Sequence, residues 1–151
     1  MSCLIRNATN ADALAISRII IGTLRESNAL DYSSAIIDQV ESSFSPSAIL
    51  DLLTRRQVLV ATTDSHIVAT ASLDQDVVRS VFVDPTWQGK GIGRQLMAMI
   101  QSIAIKDGVS LLRVPSSITA QGFYAALGFK KIRDEFHQSE RTIIMAKTLE
   151  H

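Results

Sequence analysis

The chain has 151 residues and a mass of 16.5 kDa, with 46% hydrophobic and 20% charged residues. A single domain of that size buries roughly 68–70% of its unfolded surface, so a true core forms and disordered or collagen-like classes are excluded. Fifteen basic residues balance fifteen acidic ones, which leaves no cationic surplus for counterion-releasing contact with nucleic acid.

Cys3 is the lone cysteine, so neither an intrachain disulfide nor a cysteine-rich zinc site is expected and a cytoplasmic setting is the default. The first 17 residues carry Arg6 and Asp12 where a leader would be apolar, and no apolar window is long enough to span a bilayer. No linker or repeat divides residues 1–148, and one domain of mixed helices and strands is expected. Leu149-Glu150-His151 looks like the remnant of an expression tag and is set apart from the fold.

Cys3 to Asn7 is expected as a first strand. Thr9 and Asp12 can cap each other ahead of a helix that aligns Ala13, Ile16, Ile20 and Leu24 on one face. A broken helical stretch follows from Tyr32 to Arg56, with Pro46 suited to the first turn of its second piece. Val58–Ala61 and Ile67–Leu73 are β-branched runs joined through Thr62-Thr63-Asp64-Ser65, a hairpin pattern. Val77–Val83 is a further strand, stopped by Asp84-Pro85. An amphipathic helix carrying Leu96, Ile100 and Ile103 runs toward Gly108. Leu111–Val114, a short helix from about Thr119 to Gly128, and strands Phe129–Ile132 and Thr142–Met145 complete the order.

Between the Val77–Val83 strand and the long helix lies Gly89-Lys90-Gly91-Ile92-Gly93. Glycines at alternate positions let backbone N–H groups converge at a helix start, where the helix dipole adds positive potential, so the turn suits an anion such as a diphosphate. The triphosphate-loop pattern is absent, because no Ser or Thr follows a Gly-Lys pair. The G-x-G-x-x-G dinucleotide spacing is also absent. His66 and His137 have no partner at metal-ligand spacing, and no G-x-S-x-G elbow occurs, so neither a metal nor a Ser-His-Asp site is expected. Cys3, without a paired histidine motif, is taken as a small apolar residue.

The run Val83-Asp84-Pro85-Thr86-Trp87-Gln88-Gly89-Lys90-Gly91-Ile92-Gly93 resembles the acyl-CoA motif V-x-P-x-x-[QR]-G-x-G-x-[GA] of the GNAT superfamily of N-acyltransferases, with every fixed position matched. Downstream, Ala120 to Phe129 is similar to that family's A-x-x-F-Y-x-x-L-G-F helix. The resemblance implies a mixed α/β domain with a splayed, mostly antiparallel sheet and helices on both faces. It implies acetyl-CoA as co-substrate, with the pantetheine arm along the edge of Val81, Phe82 and Val83. The diphosphate would sit on backbone N–H groups of Gln88, Gly89, Lys90, Gly91, Ile92, Gly93 and Arg94. Ser117, Ala120 and Phe123 would flank the arm, with Ser117 standing where the family often has Asn.

By the same resemblance the Val81 N–H would face the thioester oxygen, and Tyr124 would protonate the departing thiolate. The implied reaction is direct acetyl transfer to a primary amine, a small molecule or peptide, in a ternary complex. Alternatives are a CoA-binding sensor without transfer and a nucleotide-binding oxidoreductase. Asp31, Tyr32 and Arg79 are candidate acceptor contacts, Arg79 because alternation along its strand places it on the face of Val81. The base stays open among Asp31, Glu41, Asp74, Asp76 and Glu135. A homodimer is compatible with the family. No nucleic-acid or membrane partner is expected.

Overall fold

The computed structural model describes residues 3–28, 33–137 and 140–150. Strand β1 (Leu4–Asn7) leads through a turn into helix α1 (Ala13–Thr23), continued by a π-type turn at Leu24–Asn28. Helices α2 (Ser34–Ser42) and α3 (Pro46–Arg55) follow, then strands β2 (Gln57–Thr63), β3 (His66–Asp74) and β4 (Val77–Val83). Helix α4 (Ile92–Lys106), strand β5 (Leu111–Ser116), helix α5 (Gln121–Ala126) and strands β6 (Lys130–His137) and β7 (Glu140–Thr148) complete the chain.

Local chemistry accounts for most boundaries. The expected reciprocal cap forms: the Thr9 N–H donates to the Asp12 carboxylate at 2.8 Å, and Arg6 pairs with the same carboxylate at 2.8 Å. Ser45 caps α3 by accepting the Ala48 N–H at 3.2 Å, with Pro46 in the first turn. The β2–β3 connection is tighter than expected. Asp64 (φ 49°) and Ser65 (φ 67°) both adopt left-handed backbone, so two residues suffice and the strands run on to pair Thr63 with His66.

The seven strands form one sheet in the order β1-β2-β3-β4-β5-β7-β6, antiparallel throughout except for β4 beside β5. Alternation along β2 sends neighbouring residues to opposite faces. Val60 joins Ile16, Ile20 and Ile49 of α1 and α3, whereas Leu59 and Ala61 join Leu96, Met97 and Ile100 of α4. Helices thus cover both faces, as expected. Strands β6 and β7 outrun the short segments read from apolar alternation. A cross-strand charge pair supports the longer ladder, Arg141 to Asp134 at 3.0 Å. Leu149, set apart as tag remnant by sequence, is buried, and its N–H donates to the Ser110 carbonyl at 2.9 Å.

The sheet splays between β4 and β5, which meet at the single register pair Val77 and Arg113. The Arg113 N–H donates to the Asp76 carbonyl at 3.0 Å. Two residues on, the same direction along β5 belongs to Pro115, which has no N–H to continue the ladder. The chain therefore writes the separation into β5 itself. From Val78 onward the β4 edge is left without a strand partner on that side.

Candidate active site

The opening between β4 and β5 is a cleft of about 560 Å³, within the usual range for small-molecule and cofactor sites. One wall is the open β4 edge, Val78 and Ser80 to Val83. The floor is the turn and first residues of α4, and the far wall comes from Val114, Pro115, Ser117, Thr119, Ala120, Phe123 and Tyr124. Of the residues singled out by sequence, Val81, Phe82, Val83, Gln88, Gly89, Gly91, Ile92, Gly93, Arg94, Ser117, Ala120, Phe123 and Tyr124 all line this one space.

The turn after β4 is built in steps. Asp84 accepts the Thr86 N–H at 2.9 Å and the Thr86 hydroxyl at 2.7 Å, starting a single 3-10 turn, Pro85–Trp87. The Gln88 amide donates to the Val83 carbonyl at 3.0 Å and ties the loop to the strand end. Gly89 (φ 78°) and Gly91 (φ 84°) take left-handed backbone that a side chain would strain. Gly93 serves a different purpose: a Cβ there would lie 3.2 Å from the Phe123 ring, so its bareness lets α5 close against α4. The Gln95 N–H donates to the Gly91 carbonyl at 3.0 Å, so the N–H groups of Ile92, Gly93 and Arg94 precede this bond at the positive end of a 15-residue helix.

The middle of β4 departs from a regular ladder. Phe82 pairs with Thr70 and Arg79 with Ser72, so Ser80 and Val81 together oppose the one intervening residue of β3. This is a β-bulge, with Ser80 at φ 56°. The bulge overturns the alternation that placed Arg79 beside Val81: Arg79 is absent from the cleft wall and lies 3.6 Å from the Asp74 carboxylate. Lys90 also falls outside the wall, its ammonium 6.0 Å above the Trp87 ring. Asp31 and Tyr32 lie outside the described residues.

Tyr124 is 5% exposed, with its ring edge-on to Phe123 and Phe129 at centroid distances of 5.1 and 5.7 Å. Burial pushes its phenol well above the ordinary value, which keeps the proton in place at any physiological pH. No hydrogen bond engages its hydroxyl among the described residues, and no buried side-chain polar atom there lacks a partner, so the hydroxyl keeps access to the cleft. Ser117 accepts the Ala120 N–H at 3.2 Å, forming the turn before α5. Pro115, Thr119 and Thr23 also line the cleft, though the sequence reading did not single them out. Thr23 is brought there by α1, where its hydroxyl donates to the Val83 carbonyl at 3.3 Å.

Among the described residues no carboxylate or imidazole lines the cleft. Four of the five carboxylates considered as bases pair with arginines, Asp74 with Arg79, Asp76 with Arg113, Glu41 with Arg25 and Glu135 with Arg133, and the fifth, Asp31, lies outside the described residues. No cluster of three or more metal-ligating side chains occurs among the described residues, and no described helix is long and apolar enough to cross a membrane.

Comparison with known proteins agrees with this geometry. Residues 29–149 match the family model described as the acetyltransferase (GNAT) domain. An uncharacterized N-acetyltransferase of Chlorobaculum tepidum is 30% identical over 133 residues, covering 87% of this chain and 78% of the relative. The fold is shared with a GCN5-related N-acetyltransferase from Rhodopseudomonas palustris at a TM-score of 0.93 and 22% identity, over 99% of this chain and 97% of that one. It is shared too with the PaiA N-acetyltransferase of Thermoplasma acidophilum, solved with coenzyme A, at a TM-score of 0.84 and 22% identity over 98% and 99% of the chains. The Salmonella typhimurium acetyltransferase YncA, solved with acetyl-CoA, aligns at 0.70 and 22% identity over 99% and 95%. A motif matched at every fixed position, a sheet splayed where that motif begins and a family model spanning most of the chain identify this protein as a member of the GNAT superfamily of N-acetyltransferases.

Proposed function

We propose that this protein transfers an acetyl group from acetyl-CoA directly to a weakly basic primary amine, both substrates being bound together. The observation that carries the reading is the cleft itself, which joins the open β4 edge, the α4 N-terminus and Tyr124 in one space. The diphosphate of the co-substrate would take the N–H groups of the Gln88–Arg94 turn, with Arg94 on the wall as the nearby cation. Hydrogen bonds to a charged acceptor contribute about 1.5–3 kcal/mol each. The pantetheine arm would lie along β4 as a partial strand, where no protein strand competes for the edge.

In the transfer step the amine nitrogen forms a bond to the thioester carbonyl carbon. The carbonyl oxygen would gain negative charge opposite the N–H of Val81, which sits in the β4 bulge on the cleft wall. Collapse breaks the carbon–sulfur bond, and the thiolate takes a proton from Tyr124, whose burial keeps it a donor. The nitrogen, which carries an extra proton after attack, releases it to water, and water returns one to the phenolate. No covalent acyl-enzyme is invoked.

The described cleft wall bears on the acceptor class. An alkyl amine of pKa about 10.4 loses its proton at pH 7 at a cost of about 4–5 kcal/mol, against about 1 kcal/mol for an α-amine near 7.7–8.0. With no carboxylate or imidazole on the described cleft wall, an α-amino or aromatic amine is the better acceptor, deprotonated by water. A panel of amino acids, peptide N-termini, arylamines, polyamines and aminoglycosides assayed by CoA release tests this. Turnover of the weakly basic amines at neutral pH supports the reading. Tight CoA binding without thiol release from any amine would favour a sensor instead.

A further inference from the structure

Arg56 follows the last turn of α3 and reaches, partly buried, to the β4 bulge. Its Nη1 lies 3.3 Å from the Ser80 hydroxyl and 3.5 Å from that of Ser72. Ser72, itself 3% exposed, donates its hydroxyl to the Arg79 carbonyl at 2.7 Å. The guanidinium has no paired carboxylate among the described residues. Asp74, the one carboxylate that acts on it attractively, pairs with Arg79 instead. A desolvated arginine that hydrogen-bonds two serines is an expensive arrangement, since burial without a counter-charge penalises the cation. Ser80, for its part, holds a left-handed φ of 56°, which a non-glycine residue keeps only where its surroundings impose it. Arg56 is the only side chain that hydrogen-bonds the Ser80 hydroxyl among the described residues.

We propose that Arg56 is a positioning residue for acyl transfer: by gripping Ser80 directly and the Arg79 carbonyl through Ser72, it holds the β4 bulge in the shape that presents the Val81 N–H to the cleft. This rests on the oxyanion role given to Val81 above. Arg56 is not among the residues that line the cleft. Its loss therefore lowers kcat and leaves the affinity for acetyl-CoA in place.

The test uses Arg56→Met alone and combined with Ser80→Gly, because glycine adopts the left-handed backbone without help and removes the need for a brace. In the Ser80 background Arg56→Met lowers kcat by roughly tenfold or more, a partial loss of an oxyanion donor worth about 10²–10³, while the acetyl-CoA KM moves less than about twofold. In the Ser80→Gly background the same change costs less than about twofold. Arg56→Lys, which keeps a cation within reach, restores part of kcat. Amide hydrogen exchange across residues 79–82 speeds with Arg56→Met in the Ser80 background and gains little more in the glycine background.

An equal fall in both backgrounds, an effect confined to KM, or unchanged kcat and exchange overturns the proposal. If Arg56→Met does not fold, Ser80→Ala removes the gripped hydroxyl alone, and unchanged exchange there is equally fatal. Should the unaltered protein release no CoA with any amine, the proposed function fails, while the exchange measurements still decide whether Arg56 holds the bulge.

Discussion

Removing one oxygen from Tyr124 separates chemistry from architecture. Its ring packs against Phe123 and Phe129 in the main core, and no protein group hydrogen-bonds its hydroxyl among the described residues. Tyr124→Phe therefore leaves no orphaned polar partner, and stability stays within about 0.5 kcal/mol. The kinetic effect is different in size. A positioned general acid contributes about 10²–10⁴ in rate. The departing thiol, with a pKa near 8.5, is already a good leaving group, and a phenol raised by burial is a weak acid. Both facts place the loss at the low end, about 10²-fold in kcat, or roughly 2.7 kcal/mol of barrier. The acetyl-CoA KM changes little, because the oxygen acts on the leaving group. Burial raises the phenol pKa, so the donor stays protonated as pH rises and the unaltered enzyme shows no alkaline fall in kcat from this group up to about pH 10. Steady-state thiol release across pH, with Tm measured in parallel, is the assay. An unchanged kcat in a folded Tyr124→Phe protein removes Tyr124 from the mechanism.

Other changes test other parts of the account. Gly91→Ala places a Cβ in open space at φ 84°, so its cost is the left-handed backbone alone, about 1–2 kcal/mol. The expected Tm drop is about 2–8 °C, and an unaltered Tm would show that the cap does not need glycine. Gly93→Ala instead brings a methyl to 3.2 Å of the Phe123 ring. Scanning KM against Tm should find acetyl-CoA binding weakened more than stability, whereas a large Tm loss with normal KM argues against this close approach shaping the site. The Asp12 carboxyl is held below its ordinary range, first by the Arg6 hydrogen bond. Its contribution, about 1 kcal/mol as for other helix caps, is thus complete above the unfolded pKa near 3.9 and disappears as pH falls through the lower folded value. Denaturant titrations should find Asp12→Asn less stable at pH 7, with the gap narrowing as pH falls through the lowered folded value. A gap that persists in acid contradicts the assignment.

The sequence made the turn after β4 readable because three glycines, a proline and a glutamine at fixed offsets each do something local. The structure gives Gly89 and Gly91 left-handed backbone, puts Gln88 on the strand end and has Gly93 make way for Phe123. Apolar periodicity likewise located α1 and α4, whose buried residues follow one face. What escaped depended on partners distant in the chain. The bulge at Ser80 exists only in register with β3, so counting along β4 wrongly aligned Arg79 with Val81. The added length of β6 and β7 carries a cross-strand charge pair and polar residues, which leave no apolar alternation to read. Pro115 was visible, yet its effect, an unpaired edge facing β4, needs the direction of the Arg113 N–H to be known. Arg56 gives no sign of its contact with the site, because 24 residues separate it from Ser80.

Calorimetric titration of the intact protein with CoA, set against pantetheine, bears most directly on the turn at Gln88–Arg94. Backbone donors and the α4 N-terminus grasp the diphosphate in this account, so CoA gives a saturable heat and pantetheine, which lacks that group, binds at least about 100-fold more weakly. Equal affinities, or no heat with CoA, would contradict it.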